Sequence, residues 1–273
     1  MSANTNMKIN NLESFLAKIA SGRIPCGCVI TLADPTVTEV AADVGMDFCW
    51  LDGEHGIIDR ETMLKHIMAL RGTDCAPFVR VPDSSHTEIK KVIDMAPAGI
   101  IVPMVTSLEQ ARLAVAACRY PPEGNRGCSF RRNCRYGAEE NAEYLRIAGH
   151  DPLVILQLEH IGAVECLDEI LALPGLDSIL IGPYDLSASL GCIGQMDNPE
   201  LNRIIDEVCR KTLAAGKLLG AYSGPSTQRW LDRGVQYIAV VNDHEALFSA
   251  FHAICEEVRR THGNSTPVPK DRR

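Results

Sequence analysis

Four short stretches carry the residues best equipped for chemistry: Asp52-Gly53-Glu54-His55, Arg80, Gln157-Leu158-Glu159-His160 and Gly182-Pro183-Tyr184-Asp185. His55 lies three residues beyond Asp52, close enough for the carboxylate to hold one ring nitrogen and leave the other as a general base. Glu159 and Asp185, facing one cavity, would repel each other unless a cation sat between them. Two carboxylates with no nearby cysteine suit a hard, oxygen-seeking ion, Mg²⁺ or Mn²⁺ with Co²⁺ as a further candidate, and leave other positions to water and substrate oxygens. A competing reading makes one of the pair a helix cap or an ion-pair partner. His160 has two readings as well, a pocket wall or a loop residue without a role in the site.

These residues meet only if the chain folds so as to bring them together. Short runs rich in Val, Ile and Leu, at 26–32, 47–52, 77–81, 99–105, 153–158, 178–181, 218–222 and 237–241, alternate with amphipathic segments at 36–44, 60–70, 85–95, 108–118, 138–148, 163–173, 199–215, 226–232 and 245–260. Ser107 with Gln110 three residues on resembles a capping box, Asn198-Pro199 suits a helix start, and glycines such as Gly216 follow the helical patterns. Eight near-continuous apolar strands, each followed by a helix, predict an α/β (β/α)8 TIM barrel. A doubly wound sheet is the alternative, and the absence of G-x-G-x-x-G after the first strand counts against it. A single domain over 1–262 is expected, with a helix at 11–20 plugging the barrel floor and 263–273 as a polar tail. In such a barrel the chemistry sits at the carboxyl ends of the strands, which is where the four stretches fall.

The 273 residues are 46% apolar, and 27 Lys plus Arg stand against 35 Asp plus Glu for a net charge of -8. An acidic chain lacks the electrostatic footprint of a nucleic-acid binder. No run reaches the roughly 18 apolar residues of a membrane helix, and the first residues have no apolar signal core, so a cytoplasmic protein away from membranes is expected. The 11 cysteines are odd in number and scattered, and read as reduced thiols rather than a disulfide frame or zinc site. No lysine falls at the carboxyl end of a strand, which excludes a Schiff-base aldolase and leaves enolate stabilisation to a metal. No nucleotide cofactor is expected.

In order along the chain, LDGEHG, FVRV, IIVPMV, YPPEGNRG, LQLE and IGPYDLSASLG resemble the motifs of the HpcH/HpaI aldolase family over roughly 21–257. That resemblance implies a metal-dependent aldolase of pyruvate type, commonly a hexamer in which the last helix is swapped onto a neighbour. It further implies that Glu159 and Asp185 hold the metal, Arg80 contacts the oxygens of a 2-oxo acid, and His55, oriented by Asp52, is the acid/base group. Gln157 would support the metal, Gly182 and Pro183 would receive the substrate carboxylate, and Asp94 would reach toward a subunit interface. The reaction implied is reversible cleavage of a 4-hydroxy-2-oxo acid to pyruvate, or a related 2-oxo acid, and an aldehyde.

The chain departs from the family pattern where the aldehyde would lie, at Tyr184, Tyr222 and Asn242, and in a loop crowded with Arg131, Arg132 and Arg135. Those arginines are read either as a specificity loop forking onto a second carboxylate, favouring an acidic aldehyde, or as a solvent-facing or subunit-contact segment. Two other functions stand beside the aldolase: a citrate-synthase-like or decarboxylating enzyme of the same barrel group, and a non-catalytic dicarboxylate-binding protein.

Overall fold

The computed structural model describes residues 9–138, 140–223 and 226–262, so the expected tail at 263–273 lies outside the described residues. Eight parallel strands close into a barrel in sequence order: β1 Cys26–Ile30, β2 Phe48–Asp52, β3 Ala76–Arg80, β4 Gly99–Val102, β5 Leu153–Leu158, β6 Ser178–Ile181, β7 Leu218–Tyr222 and β8 Tyr237–Asn242. Around them run α1 Leu12–Ala20, α2 Thr36–Asp43, α3 Arg60–Ala69, α4 His86–Ile93, α5 Leu108–Cys118, α6 Asn141–Ile147, α7 Ile161–Glu165, α8 Leu167–Leu171, α9 Pro183–Ser189, α10 Pro199–Ala214, α11 Thr227–Asp232 and α12 Asp243–His262. The (β/α)8 expectation holds. The single helix expected at 163–173 is broken at Cys166 into α7 and α8, and α9, directly after β6, was not anticipated.

Alternation along the strands divides the core in two. Outward residues such as Leu51, Val79 and Ile181 pack beneath the helices. Inward residues stack in layers, with Phe48, Phe78 and Tyr237 in the lowest, where Phe15 of α1 enters and meets all three rings edge-on. The N-terminal helix is therefore the floor plug its sequence position suggested. Gly220 makes room for the bulkiest ring: a Cβ there would stand 2.2 Å from the Tyr237 ring. Val29, Trp50, Ile101, Ile155, Leu180 and Ala239 belong to the same interior cluster. Continuing the alternation by two residues brings Asp52, Arg80, Gln157, Gly182 and Tyr222 to the carboxyl-terminal mouth. The strand pattern that builds a dry core thus also lifts a polar layer above it.

Helix ends follow the sequence signals. Ser107 accepts from the Gln110 N–H, and Asn198 accepts from the N–H groups of Glu200 and Leu201 ahead of Pro199. No cysteine pair among the described residues is bridged. No helix among them is long and apolar enough to cross a membrane.

Candidate active site

A cavity of about 350 Å³ opens at the carboxyl ends of the strands and is lined by Asp52, His55, Arg80, Gln157, Asp185 and Tyr222 among others. Gly182, Pro183, Tyr184 and Asn242 also border it, so six strand ends or the loops after them carry residues the sequence had singled out. Tyr184 is 57% exposed over the mouth.

Arg80 is the structural centre of one side. Its Nε donates to Asp52 Oδ1 at 2.9 Å, Nη2 to Asp52 Oδ2 at 2.6 Å, and Nη1 lies 2.8 Å from Glu54 Oε2. The guanidinium carbon also stands 5.0 Å from the centre of the Trp50 ring. Such a planar fork on two carboxylates fixes the direction of the charge as well as its position. Here the sequence expectation needs correcting. Asp52 does not hold the His55 ring; its Oδ1 accepts from the backbone N–H of Glu54 at 3.0 Å and of His55 at 3.3 Å, and the rest of the carboxylate is taken by Arg80. The His55 ring is 69% exposed, with Nε2 3.8 Å from Glu54 Oε2. Glu54, which carried no assigned role, is thus the carboxylate that stands between Arg80 and the His55 ring.

Opposite stands Glu159, 2% exposed. Oε1 accepts the Met104 N–H at 2.6 Å and Oε2 accepts the amide of Gln157. Met104 holds φ at 50°, a left-handed conformation costing a non-glycine residue about 1 kcal/mol, and the bond to Glu159 helps to hold it there. Gly182 lets β6 end close against this carboxylate: a Cβ there would stand 2.5 Å from Glu159 Oε2. Burial pushes the Glu159 carboxyl up to about 7, aided by the negative charges of Glu54 and Asp185. Burial likewise raises Glu54.

Among the described residues no group of three or more His, Cys, Asp or Glu side chains is gathered tightly enough to hold a metal ion by itself. The donors nevertheless fit a hard divalent cation completed by substrate and water. Three carboxylates repel one another across the cavity, and Gln157 Oε1 is buried with no hydrogen-bond partner beside the Glu159 carboxylate. A cation would relieve both. Among the described residues no lysine lines the cavity.

Other expected residues lie elsewhere. The loop with Arg131, Arg132 and Arg135 runs between α5 and β5, and so occupies the amino-terminal end of this barrel, opposite the cavity. Arg132 is 4% exposed and donates to the carbonyl oxygens of Met95, Ala96 and Ile9. It stitches the barrel floor and does not read substrate in its own chain. Asp94, at the C-terminus of α4, belongs to the same end, 4.0 Å from the Arg126 guanidinium and raised by burial. His160 caps α7, accepting the Gly162 N–H through Nδ1.

The cavity wall also holds Thr31 and His244, which had no sequence assignment, beside Tyr222 and Asn242, which were expected near the aldehyde. Asn242 donates to the Tyr222 hydroxyl and to Glu245, while His244 Nδ1 lies 3.2 Å from Thr31 Oγ1. The position of Asn242 at the end of β8 was the one available signal for this group.

Comparison with known proteins places this architecture. Residues 26–248 match the family model described as HpcH/HpaI aldolase/citrate lyase. The chain is 33% identical over 251 residues to a 5-keto-4-deoxy-D-glucarate aldolase of Escherichia coli (strain K12), covering 91% of this chain and 97% of that protein. Among solved structures it is similar to an HpcH/HpaI aldolase/citrate lyase family protein from Burkholderia cenocepacia J2315, at a TM-score of 0.83 and 27% identity over 90% of this chain and 99% of the other. It is also similar to the citrate synthase SbnG, at a TM-score of 0.82 and 27% identity over 94% and 100%. The match spans every strand of the barrel and every polar residue at its mouth: this chain belongs to the HpcH/HpaI aldolase/citrate lyase family.

Proposed function

We propose that the protein is a carbon-carbon lyase that reversibly cleaves a 4-hydroxy-2-oxo acid into a 2-oxo acid of pyruvate type and an aldehyde. One observation carries the reading: Gln157, Asp185 and Arg80 line one cavity with Glu159 bonded to Gln157 beside it, where a buried carboxylate and an unpartnered amide oxygen call for a cation. Glu159 and Asp185, supported by Gln157, would hold Mg²⁺ or Mn²⁺. When bound, the ion supplies Lewis acidity toward the substrate's 2-oxo group.

The chain's own residues account for the rest. Arg80, immobilised by Asp52 and Glu54, directs positive charge at the oxygen where the enolate develops, without having to reorganise. The Gly182 N–H is committed to the Leu158 carbonyl and Pro183 has none, so the backbone N–H groups of Tyr184 and Asp185 that follow them receive the substrate carboxylate. His55 at the mouth takes the proton of the 4-hydroxyl group, the C3–C4 bond breaks, and its electron pair passes into the enolate as the aldehyde carbonyl forms. Reprotonation at C3 completes the 2-oxo acid, and the reverse sequence makes a carbon-carbon bond.

The assembly is read as a homo-oligomer. From Glu245 onward α12 is exposed along its length, and Leu247, Phe248, Phe251, Ile254 and Val258 form an apolar stripe at helical spacing. Beside β8 lies a groove of about 1240 Å³ bordered by Ile205, Trp230, Val240 and Val241. A second copy's α12 suits that groove, in keeping with the swapped helix, and the hexamer, that the family resemblance implies.

Exchange of pyruvate methyl protons in D₂O, followed by NMR with Mg²⁺, Mn²⁺ or chelator, tests the reading. Exchange that requires metal supports it, and absence of exchange with either ion overturns pyruvate as the nucleophile. The likeness to the citrate synthase SbnG favours one other reading, condensation of an enolate with a different acceptor, which is separated by supplying oxaloacetate or an aldehyde to the metal-loaded enzyme and identifying which condensation product forms.

A further inference from the structure

Two residues on the wall of the cavity carry a buried polar atom with no hydrogen-bond partner among the described residues: Gln157, through Oε1, and Trp50, through Nε1. The two atoms are of opposite kind. The amide oxygen is an acceptor and is accounted for by a cation, whereas the indole N–H is a donor only, and no step of the reaction has yet used it. A buried donor without a partner is costly, so an oxygen that enters with the substrate is the natural group to meet it.

Trp50 forms the base of this cavity. It is the third residue of β2, two before Asp52, so its side chain enters the barrel one layer below the polar mouth, where it is 3% exposed. Val29 shares that layer and the cavity wall but has no polar atom in its side chain. The indole face lies against Arg80, whose guanidinium carbon is 5.0 Å from the ring centre. Asp52 and Glu54 hold the edge of the guanidinium through its nitrogens, and the ring supports its flat face, where the aromatic quadrupole attracts a cation. Arg80 is thus fixed from three sides, and the residue that supplies the third also brings an unused donor to the base of the site.

We propose that Trp50 is a substrate-contacting residue for the 2-oxo acid: its ring braces Arg80 and its N–H donates to the substrate carboxylate. This rests on the aldolase reading and adds one residue to the recognition of the 2-oxo acid. A carboxylate offers about four lone-pair positions. The N–H groups of Tyr184 and Asp185 and one bound cation fill three of them, and the indole takes the fourth. Because the carboxylate keeps its charge throughout the reaction, this bond holds ground state and transition state alike, so its loss shows in KM. The brace on Arg80 acts where charge develops, so its loss shows in kcat.

The chain has 2 tryptophans, and the other, Trp230, lies in α11 against Arg233, away from this cavity. Trp230→Phe therefore leaves Trp50 as the sole indole, and pyruvate added to that variant loaded with Mg²⁺ should change the Trp50 emission saturably. In the otherwise unmodified protein, Trp50→Phe keeps a ring under Arg80 and removes the N–H. Its KM for pyruvate in proton exchange should rise about 10-fold, with kcat within about threefold. Trp50→Leu removes the brace as well and should lower kcat by about 10-fold. An emission that pyruvate leaves unchanged, or a KM in Trp50→Phe within about twofold of the unmodified enzyme, overturns the contact, and either readout decides alone should one variant fail to fold. An unchanged kcat in Trp50→Leu overturns the brace. Proton exchange in the unmodified enzyme separates the two levels: exchange with neither Trp50 effect overturns this role alone, whereas absence of exchange overturns the aldolase reading and leaves the emission to decide whether a carboxylate reaches Trp50.

Discussion

Arg80 grips Asp52 through two parallel hydrogen bonds, Nε to Oδ1 at 2.9 Å and Nη2 to Oδ2 at 2.6 Å, and this fork occupies the acid that sequence spacing alone assigns to His55. Asp52 is therefore a positioning residue for Arg80 and for the loop that follows β2.

Asp52→Ala should free the guanidinium from its fork and leave the Glu54 and His55 N–H groups without their shared acceptor. The expected loss in kcat is about 100-fold, the scale of removing one preorganised charge-stabilising group. Arg80→Lys should fare no better, because an ammonium cannot reproduce a planar fork on two carboxylates. Steady-state kinetics beside thermal unfolding checks this; kcat within twofold of the unmodified enzyme in Asp52→Ala would remove the positioning role.

Glu159→Gln tests the cation site without removing volume. The new amide oxygen can still accept the Met104 N–H, and its nitrogen can face Gln157 Oε1, which has no partner now. Losing a buried charge that burial and two other carboxylates oppose should leave thermal stability unchanged or higher. Metal-dependent pyruvate exchange should nonetheless fall by more than about 100-fold, because the strongest oxygen donor is gone. Unimpaired exchange in this variant would move the cation elsewhere.

The sequence made the barrel legible because both faces of each strand are buried, so strands read as continuous apolar runs ending in polar residues. What it hid has physical causes. α9 spans only Pro183–Ser189, too short for a periodic pattern, yet it carries Tyr184 and Asp185. The Met104 N–H that holds Glu159 has no side-chain signature, and a methionine at φ 50° is not a position that sequence marks. Asp52 could be paired with His55 by spacing, whereas its real partner is 28 residues away on the next strand. The misplacement of Arg131, Arg132 and Arg135 was avoidable: a loop that follows a helix and precedes a strand must lie at the amino-terminal end of the barrel, and chain order alone says so.

The exposed stripe on α12 predicts a measurable assembly. Phe248 and Phe251 are 71% and 64% exposed, and burying each in a partner's groove would contribute roughly 1.5–3 kcal/mol. Light scattering on the purified protein should report an oligomer, and Phe248→Asp combined with Phe251→Asp should shift it to smaller species at micromolar concentration. An unmodified protein that runs as a monomer, or a double variant with unchanged mass, would leave the stripe without this occupant.

Asp151 offers a prediction about pH at the floor of the barrel. Burial raises its carboxyl to about 6 against the ordinary 3.8, even though Asn10 donates to both oxygens, at 2.7 and 2.9 Å. The folded state thus keeps this proton over a range in which the unfolded chain has released it. Its contribution to stability is fully present below pH 4 and is lost as pH rises through 6, by about 2 kcal/mol. Asp151→Asn removes the titration, so the difference in unfolding free energy between variant and unmodified protein should move by that amount in the variant's favour from pH 4 to pH 7.5. Urea unfolding at the two pH values measures it. A difference that stays constant would mean Asp151 ionises in the folded protein at its ordinary pH, and that the floor is wetter than its packing around Asn10 implies.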